Sequence, residues 1–222
     1  MNYMNRFLPV LLATLLALAA AVGSGPASAA DLTREQALKQ LSSKDAEARL
    51  ASVKRLHDIA RFRDSNALAK ILFDEDEDNR SAAEAALWAT WSRSGDAQID
   101  ALFKKGVAQM NAADADAAIA TFTEVIRRKP DFAEGWNKRA TVYFFTKRFK
   151  ESLADCAQVI KRNPGHFGAL SGYGQIYAQM EDFDKALEYF ERAIAVNPNM
   201  EGVALNIVAL RKLRAARARK AI

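Results

Sequence analysis

A run of five acidic residues that begins at Asp74 is the strongest candidate for metal binding in this sequence. A calcium-binding EF-hand loop needs carboxylates at positions one, three and five, glycine at six and glutamate at twelve. Asp74, Asp76 and Asp78 fit, but Asn79 and Ala85 stand at positions six and twelve. Because the turn residue and the bidentate ligand are both missing, we interpret the run as a solvated turn before a helix. We predict no metal site and no cofactor.

Histidine and cysteine are too sparse to suggest catalysis. His57 and His166 are the two histidines, and they stand in different halves without cysteine or paired carboxylates at ligand spacing. Cys156 is the single cysteine, and no histidine close in sequence supplies the base that a nucleophilic thiol needs. The sequence also has no glycine-rich phosphate loop. We therefore predict no catalytic residues and a protein that is not an enzyme.

The N-terminal segment, residues 1–30, has the three parts of a secretory signal peptide. Arg6 precedes an apolar run over residues 7–22, and the small-residue end includes Ala29 and Ala30. That run is shorter than the ~20 residues that cross a bilayer. We predict cleavage after Ala29 or Ala30 and a periplasmic protein without a membrane span. Retention of the leader as an anchor is the less favoured alternative.

The positive charge of the chain is concentrated in its tail. The formal net charge is +5, and residues 201–222 hold six Lys or Arg against one acidic residue. The preceding body is nearly neutral, which gives no reason to expect a nucleic-acid partner. The single cysteine excludes an internal disulfide, so the exported protein must be stabilised by core burial.

A 34-residue period organises the C-terminal half. Pro130, Pro164 and Pro198 are separated by one such period each. Small residues recur with the same period at Gly106, Ala140 and Gly174. Sixteen residues after each of them stand Phe122, Cys156 and Phe190. Each unit has room for two helices, with small residues where the helices approach closely and proline where a new helix begins.

This pattern resembles the tetratricopeptide repeat (TPR) family, and the third unit matches it best through Tyr173-Gly174, Tyr177, Ala186, Phe190 and Pro198. The resemblance covers residues 99–198. It implies an all-α fold, a right-handed α-α solenoid of three TPR helix pairs at 99–132, 133–166 and 167–200. A capping helix with a basic tail is expected at 200–220, and its apolar residues are expected to cover the exposed end of the third pair: Val203, Leu205, Ile207, Val208 and Leu210.

Residues 31–96 repeat with a different, 31-residue period. The matched pairs are Leu41 and Leu72, Asp45 and Asp76, Arg49 and Arg80, Ala51 and Ala82, and Leu56 and Leu87. The frame resembles HEAT-like repeats, in which the acidic residue and the arginine one turn later support the helix start. The alternative is a generic helical cap that covers the first TPR pair with Ile71, Leu72, Leu87, Trp88 and Trp91.

In the resembled family, the first helix of each pair lines a concave groove that holds an extended peptide or a helix. The groove residues implied here are Phe103, Val107, Met110, Asn137, Lys138, Thr141, Phe144, Ser171 and Gln175. Asn137 is the strongest candidate, because an amide both donates and accepts hydrogen bonds. The alternative is a groove filled by the front segment.

Some family members bind a C-terminal carboxylate through lysine, asparagine and arginine side chains in this groove. The corresponding positions here hold Phe103, Val107, Lys138, Gly168 and Gly172. Four of the five cannot donate a hydrogen bond from a side chain, so the resemblance does not extend to that carboxylate site.

Together these features predict a non-enzymatic scaffold or adaptor in the bacterial envelope that binds a protein or peptide partner in the TPR groove. One alternative is a structural component that docks through the solenoid ends or the basic C-terminal helix. A second alternative is a regulatory subunit of an envelope enzyme. We expect the basic run Arg211–Lys220 to be a solvated cap, with contact to an anionic surface as the minor alternative.

Overall fold

The computed structural model describes residues 32–220, and this part of the chain is α-helical without strands. The helices in chain order are α1 (Arg34–Gln40), α2 (Ala46–Ile59), α3 (Ser65–Ile71), α4 (Glu77–Trp91), α5 (Ala97–Asn111), α6 (Ala115–Arg128), α7 (Ala133–Phe145), α8 (Phe149–Arg162), α9 (Phe167–Gln179), α10 (Phe183–Val196) and α11 (Glu201–Lys220). The prediction of an all-α fold built from helix pairs is confirmed. The predicted leader lies outside the described residues.

Helices α5 to α10 form three pairs that stack in sequence. Within each pair the two helices pack together, and the second helix also packs on the first helix of the next pair. Helices α7, α9 and α11 begin at Ala133, Phe167 and Glu201, which are one 34-residue period apart. Helix α11 therefore occupies the position that the first helix of a fourth pair would take, and it packs on α10.

The turn inside each pair has the same backbone conformation in all three units. Ala113, Lys147 and Glu181 have φ values of 58°, 58° and 61°, in the left-handed region. In the second unit the Arg148 N–H donates to the Tyr143 carbonyl at 2.8 Å, the six-to-one bond of a Schellman motif. The motif satisfies carbonyls at the end of the first helix and reverses the chain without glycine.

Cys156 fills a core position of the second unit. It stands one period after Phe122 and one period before Phe190, and it is 3% exposed. Its unit has Ala140 where the sister units have glycine, and Ala140 and Cys156 share one buried cluster. In this unit the first helix has alanine instead of glycine, and the side chain opposite it on the second helix is correspondingly smaller, cysteine instead of phenylalanine.

The front segment, α1 to α4, shows the 31-residue pattern as two equivalent helix starts. Asp45 and Asp76 cap α2 and α4 through their side chains. Arg49 and Arg80 each donate to a carbonyl in the turn before their own helix, at 3.0 and 2.9 Å. Arg49 also binds Asp74 through two hydrogen bonds of 2.6 and 2.7 Å. The assignment to HEAT-like repeats stays a prediction.

These contacts also account for the acidic run. Asp74 binds an arginine and Asp76 caps a helix, so both carboxylates have partners within the protein. Among residues 32–220, no group of three or more histidine, cysteine, aspartate or glutamate side chains is placed to hold a metal ion.

The front segment packs on the third pair, which differs from the predicted cover over the first pair. Its buried cluster includes Leu72, Leu87 and Trp91 together with Phe167 of α9, while Val196 packs against it. The reason is the aromatic surface at the start of α9, which α4 meets with its two tryptophans.

The last helix buries only part of the apolar set expected to cover the third pair. Val203, Ile207 and Leu210 are buried, but Leu205 is 70% exposed and Val208 is 50% exposed. The buried residues recur at the three- to four-residue spacing of one helix face, and the exposed residues lie on another. The prediction was therefore wrong for Leu205 and Val208.

The basic side chains of α11 are partly neutralised within the chain. Arg211, Arg214 and Arg217 form ion pairs of 2.8, 2.9 and 2.7 Å. Their partners are Glu191, Asp184 and Glu181. All six side chains are at least half exposed, so each pair contributes little stability, but together they align α11 along α10. None of α1 to α11 combines the length and apolar composition needed to cross a bilayer.

Candidate functional site

A cavity of about 210 Å³ opens between α7 and α9, the first helices of the second and third pairs. We call it the groove cavity. Its wall contains four of the predicted groove residues, Asn137, Thr141, Phe144 and Gln175. Gly172 and Cys156 also line it, and none of its lining residues carries a charge. The repeat geometry therefore brings together neutral hydrogen-bonding groups and an aromatic ring.

Asn137 is less free than its sequence position suggests. Its amide nitrogen donates to Glu134 at 3.0 Å, and the side chain is largely buried. Thr141 donates its hydroxyl to the Asn137 carbonyl at 2.9 Å. What these residues offer a ligand is the remaining amide N–H, the amide oxygen and a hydroxyl that can accept a hydrogen bond.

Lys138 does not face the groove cavity. Its ammonium group lies 3.1 Å from the Glu134 carboxylate and 5.6 Å from the centre of the Trp88 ring. Both contacts stabilise the positively charged ammonium group, so the lysine side chain is held in place by the protein itself. Lys138 does not line the groove cavity, and the one cationic side chain among the carboxylate-site positions is already paired within the protein.

Two other predicted groove residues belong to the core of the first pair. Phe103 is 4% exposed and packs against the rings of Phe122 and Phe132 at 5.8 and 5.2 Å. Val107 packs against the same cluster. The assignment of Phe103 to the groove was wrong because Phe132, in the turn before α7, covers the ring.

The remaining two predicted groove residues, Ser171 and Met110, do not line the groove cavity. Ser171 is 4% exposed and accepts a hydrogen bond of 3.4 Å from Gln175. Met110 lines a second cavity of about 360 Å³, together with Val142 and Phe145. Phe145 is 72% exposed and borders both cavities. The second cavity therefore extends the surface available to a ligand beyond Phe145.

A buried hydrogen-bonded pair, Glu134 and His166, lies beside the groove cavity and escaped the sequence analysis. The Nε2 of His166 lies 2.9 Å from a Glu134 carboxylate oxygen, and both side chains are fully buried. The Nδ1 of His166 accepts the Ala169 N–H at 3.1 Å and so caps α9. Because Nδ1 accepts, Nε2 carries the proton and donates to Glu134.

The pair is stabilised by its surroundings. Burial acting alone would raise the pKa of Glu134, but the hydrogen bond from His166 and the charge of Lys138 outweigh it and leave that pKa below its usual value. The His166 ring stacks on Trp91 at 4.5 Å between centroids. The pair therefore joins the second unit, the third unit and the front segment at one point.

Trp88 closes one end of the groove cavity. A Cβ built on Gly168 would overlap the Trp88 ring, so only glycine allows this approach. Gly168 also lines the groove cavity, which continues from there along α7 and α9. The front segment thus blocks the end of the groove without filling it.

Helix pairs stacked in register around a concave groove define a helical repeat protein of the α-solenoid class. Family models described as tetratricopeptide repeat match residues 103–167 and 169–200. This part of the chain therefore consists of tetratricopeptide repeats, as its 34-residue period predicted.

Known proteins are similar to this chain in sequence or in fold. A TPR repeat-containing protein of Rhizobium etli is 32% identical over 125 residues, which are 56% of this chain and 61% of that protein. The chain thus spans less than two thirds of that relative. The Sgt2 TPR domain from Aspergillus fumigatus superimposes with a TM-score of 0.54 at 20% identity, covering 57% of this chain and 85% of that one. The first TPR of Spaghetti (RPAP3), bound to the HSP90 peptide SRMEEVD, gives a TM-score of 0.52 at 23% identity, covering 54% and 96%.

Proposed function

We propose that this protein is a non-enzymatic adaptor that binds an extended segment of a partner polypeptide in the groove cavity. The observation that carries the proposal is the uncharged cavity between α7 and α9, with Asn137, Thr141 and Gln175 beside Phe144. Amide and hydroxyl groups bind a peptide backbone, while an aromatic ring packs against a partner side chain. The likeness to a TPR domain solved with a bound peptide supports this reading.

The chemistry of the groove cavity indicates a neutral, apolar partner segment. The peptide bound to the first TPR of Spaghetti is acidic in its printed sequence, SRMEEVD. Here Gly172 and Gly168 offer no side-chain donors, and Lys138 is held by Glu134 and Trp88. An acidic segment would lose water without gaining a cation. We therefore expect a segment with an apolar anchor beside Phe144.

The position of Trp88 sets the direction in which a ligand extends. Because Trp88 closes the groove at Gly168, a bound segment must leave past the other end of α7. Phe145 stands there, between the groove cavity and the second cavity with Met110. An exposed aromatic ring that borders two cavities is a suitable centre for a binding hot spot.

Gly172 provides the sharpest test of this site. A Cβ on Gly172 would meet only the Cys156 sulfur at 3.8 Å, an ordinary contact, so larger side chains fit toward the groove cavity. Gly172→Leu should fill the cavity, whereas the matched variant Gly172→Ala should leave it open. Both replace glycine within a helix and should not lower the unfolding free energy.

The experiment compares these two variants with Phe144→Ala and Phe73→Ala. Each is used to capture partners from an extract of the producing cells, and the captured partner is then titrated against all four. We expect Gly172→Leu and Phe144→Ala to weaken binding at least about tenfold, with Gly172→Ala and the distant Phe73→Ala unchanged. Raising the salt concentration should change the affinity little, because the cavity is uncharged. Equal binding by all four variants would overturn the proposed site.

We further propose that the adaptor acts in the bacterial envelope, and this rests on the signal-like residues 1–30. Sequencing the N-terminus of the protein that accumulates in cells should find Asp31 or Ala30 first. An intact leader on protein recovered from the cytoplasm would contradict the proposal.

A further inference from the structure

In each of the three pairs, the first helix buries one face against the second helix of the same pair. Helix α11 exposes the equivalent face. Its Val208 stands one 34-residue period after Gly174, which contacts Phe190 of α10. Val208 is nevertheless 50% exposed and Leu205 is 70% exposed. Within residues 32–220, no helix covers these two side chains. An exposed pair of aliphatic residues on a well-formed helix is a candidate contact surface.

The residues around this pair form a stripe with a defined charge pattern. Glu201, Leu205, Val208 and Lys212 are separated by four, three and four residues, the spacing of one contact line along a helix. All four are exposed. Neither Glu201 nor Lys212 takes part in an ion pair among the described side chains. We call these four residues the outer stripe of α11.

The outer stripe is complementary to itself in one orientation. When two copies of α11 run antiparallel, Leu205 meets Val208 of the partner subunit, and Glu201 meets Lys212 of the partner subunit. The two-fold axis repeats both contacts. In a parallel arrangement Glu201 would face Glu201 of the partner subunit, and the two charges would repel.

The arginines of α11 do not oppose this pairing. Arg211 and Arg214 are directed to Glu191 and Asp184 of α10, and Arg217 is directed to Glu181 in the turn before α10. They therefore lie on the side of α11 that contacts its own chain, and their charge is partly neutralised there. The outer stripe itself carries one acidic and one basic residue.

We propose that two copies of this chain associate through the outer stripes of antiparallel α11 helices. The stripe is short, so the dimer is weak, with a dissociation constant on the order of 10–100 µM. The proposal is independent of the groove cavity, which lies between α7 and α9. If the groove variants show no difference in partner binding, the dimer proposal is unaffected. If the chain is monomeric, the groove proposal is unaffected.

Cysteine cross-linking tests the orientation. Glu201→Cys and Lys212→Cys are made separately in the protein as it accumulates in cells, and the two are then mixed under mild oxidation. We expect a disulfide-linked dimer only from the mixture. In each variant alone the two introduced thiols would lie about 16 Å apart along the helices, given the 1.5 Å rise per residue. The native Cys156 is buried and should not take part in the cross-linking.

Sedimentation equilibrium tests the charge pattern. We expect Lys212→Glu to raise the dissociation constant at least about tenfold, and the double variant Glu201→Lys with Lys212→Glu to restore it. Leu205→Glu should abolish association, with circular dichroism reporting an intact fold. A monomer throughout the concentration range would overturn the proposal, and so would a cross-link formed by Glu201→Cys alone. If the outer stripe instead binds a helix of another protein, the pure chain would be a monomer, and that result would also overturn the proposal.

Discussion

Gly174 lies directly against the ring of Phe190, so that a Cβ built on Gly174 would stand 2.5 Å from the Phe190 Cδ1 atom. The first unit repeats this contact, because a Cβ on Gly106 would lie 2.7 Å from the ring of Phe122. A large ring on the second helix therefore requires glycine on the first. This pairing sets how closely the two helices of a unit approach.

We predict that Gly174→Ala lowers the unfolding free energy by about 1–2 kcal/mol, because the added methyl group overpacks the contact with Phe190. Phe190→Cys alone should cost about 3 kcal/mol through the cavity it leaves. The double variant copies the Ala140 and Cys156 pair of the second unit and should be less destabilised than the sum. Urea unfolding of the four proteins gives the coupling energy.

The matched control for this cycle is Gly172→Ala in the same helix. Its new Cβ would meet the Cys156 sulfur at 3.8 Å without overlap, so it should be neutral or slightly stabilising. Strict additivity of the Gly174 and Phe190 variants would contradict the packing explanation.

The buried Glu134 carboxylate predicts a loss of stability in acid. Because its pKa is lowered on folding, its contribution is fully present above the unfolded pKa, about 4.3, and is lost as the pH falls through the folded pKa. Glu134→Gln removes this contribution. The unfolding free energies of the parent and the variant should therefore differ by about 1–3 kcal/mol at pH 7 and converge once the pH falls below the folded pKa of Glu134.

Urea unfolding at several pH values measures this difference. Glu124→Gln is the control: Arg127 also lowers the pKa of Glu124, but both side chains are partly exposed, so its effect on stability should be much smaller. A constant difference between parent and Glu134→Gln at all pH values would show that the Glu134 pKa does not change on folding.

Lys147 adopts a left-handed backbone conformation, with φ at 58°, that glycine adopts without a steric penalty. We expect Lys147→Gly to raise the unfolding free energy by about 0.5–1 kcal/mol, or the Tm by a few degrees. Lys104→Gly, within the exposed part of α5, should lower it by about 1 kcal/mol. Thermal unfolding followed by circular dichroism compares the two. A lower Tm for Lys147→Gly would indicate that the lysine side chain makes a contact of its own.

The thiol of Cys156 should be nearly inert in the folded protein. Burial, with the nearby Asp155 charge, raises its pKa to about 12. Its thiolate fraction at pH 8 is therefore roughly a thousandfold below that of a free cysteine. We expect a disulfide reagent to label it slowly in buffer and rapidly in urea. Fast labelling without denaturant would mean that the groove cavity admits the reagent to the sulfur.

The sequence predicted the groove residues of the second unit better than those of the first. Asn137, Thr141 and Phe144 line the groove cavity, whereas Phe103 is buried in the core. All four were placed by one repeating register. That register fixes the helix face, but whether a side chain on it reaches a ligand depends on what packs above it, and Phe132 covers Phe103.

The sequence by itself determined the 34-residue repeats and their division into helix pairs. These features follow from local spacing, since proline, small residues and turns act within a single repeat unit. Tertiary structure alone decided that Trp88 closes the groove at Gly168, that Glu134 binds His166, and that α11 leaves its outer stripe exposed. Each of these depends on how separate helices dock. Docking is set by the summed burial of many side chains rather than by any spacing along the chain.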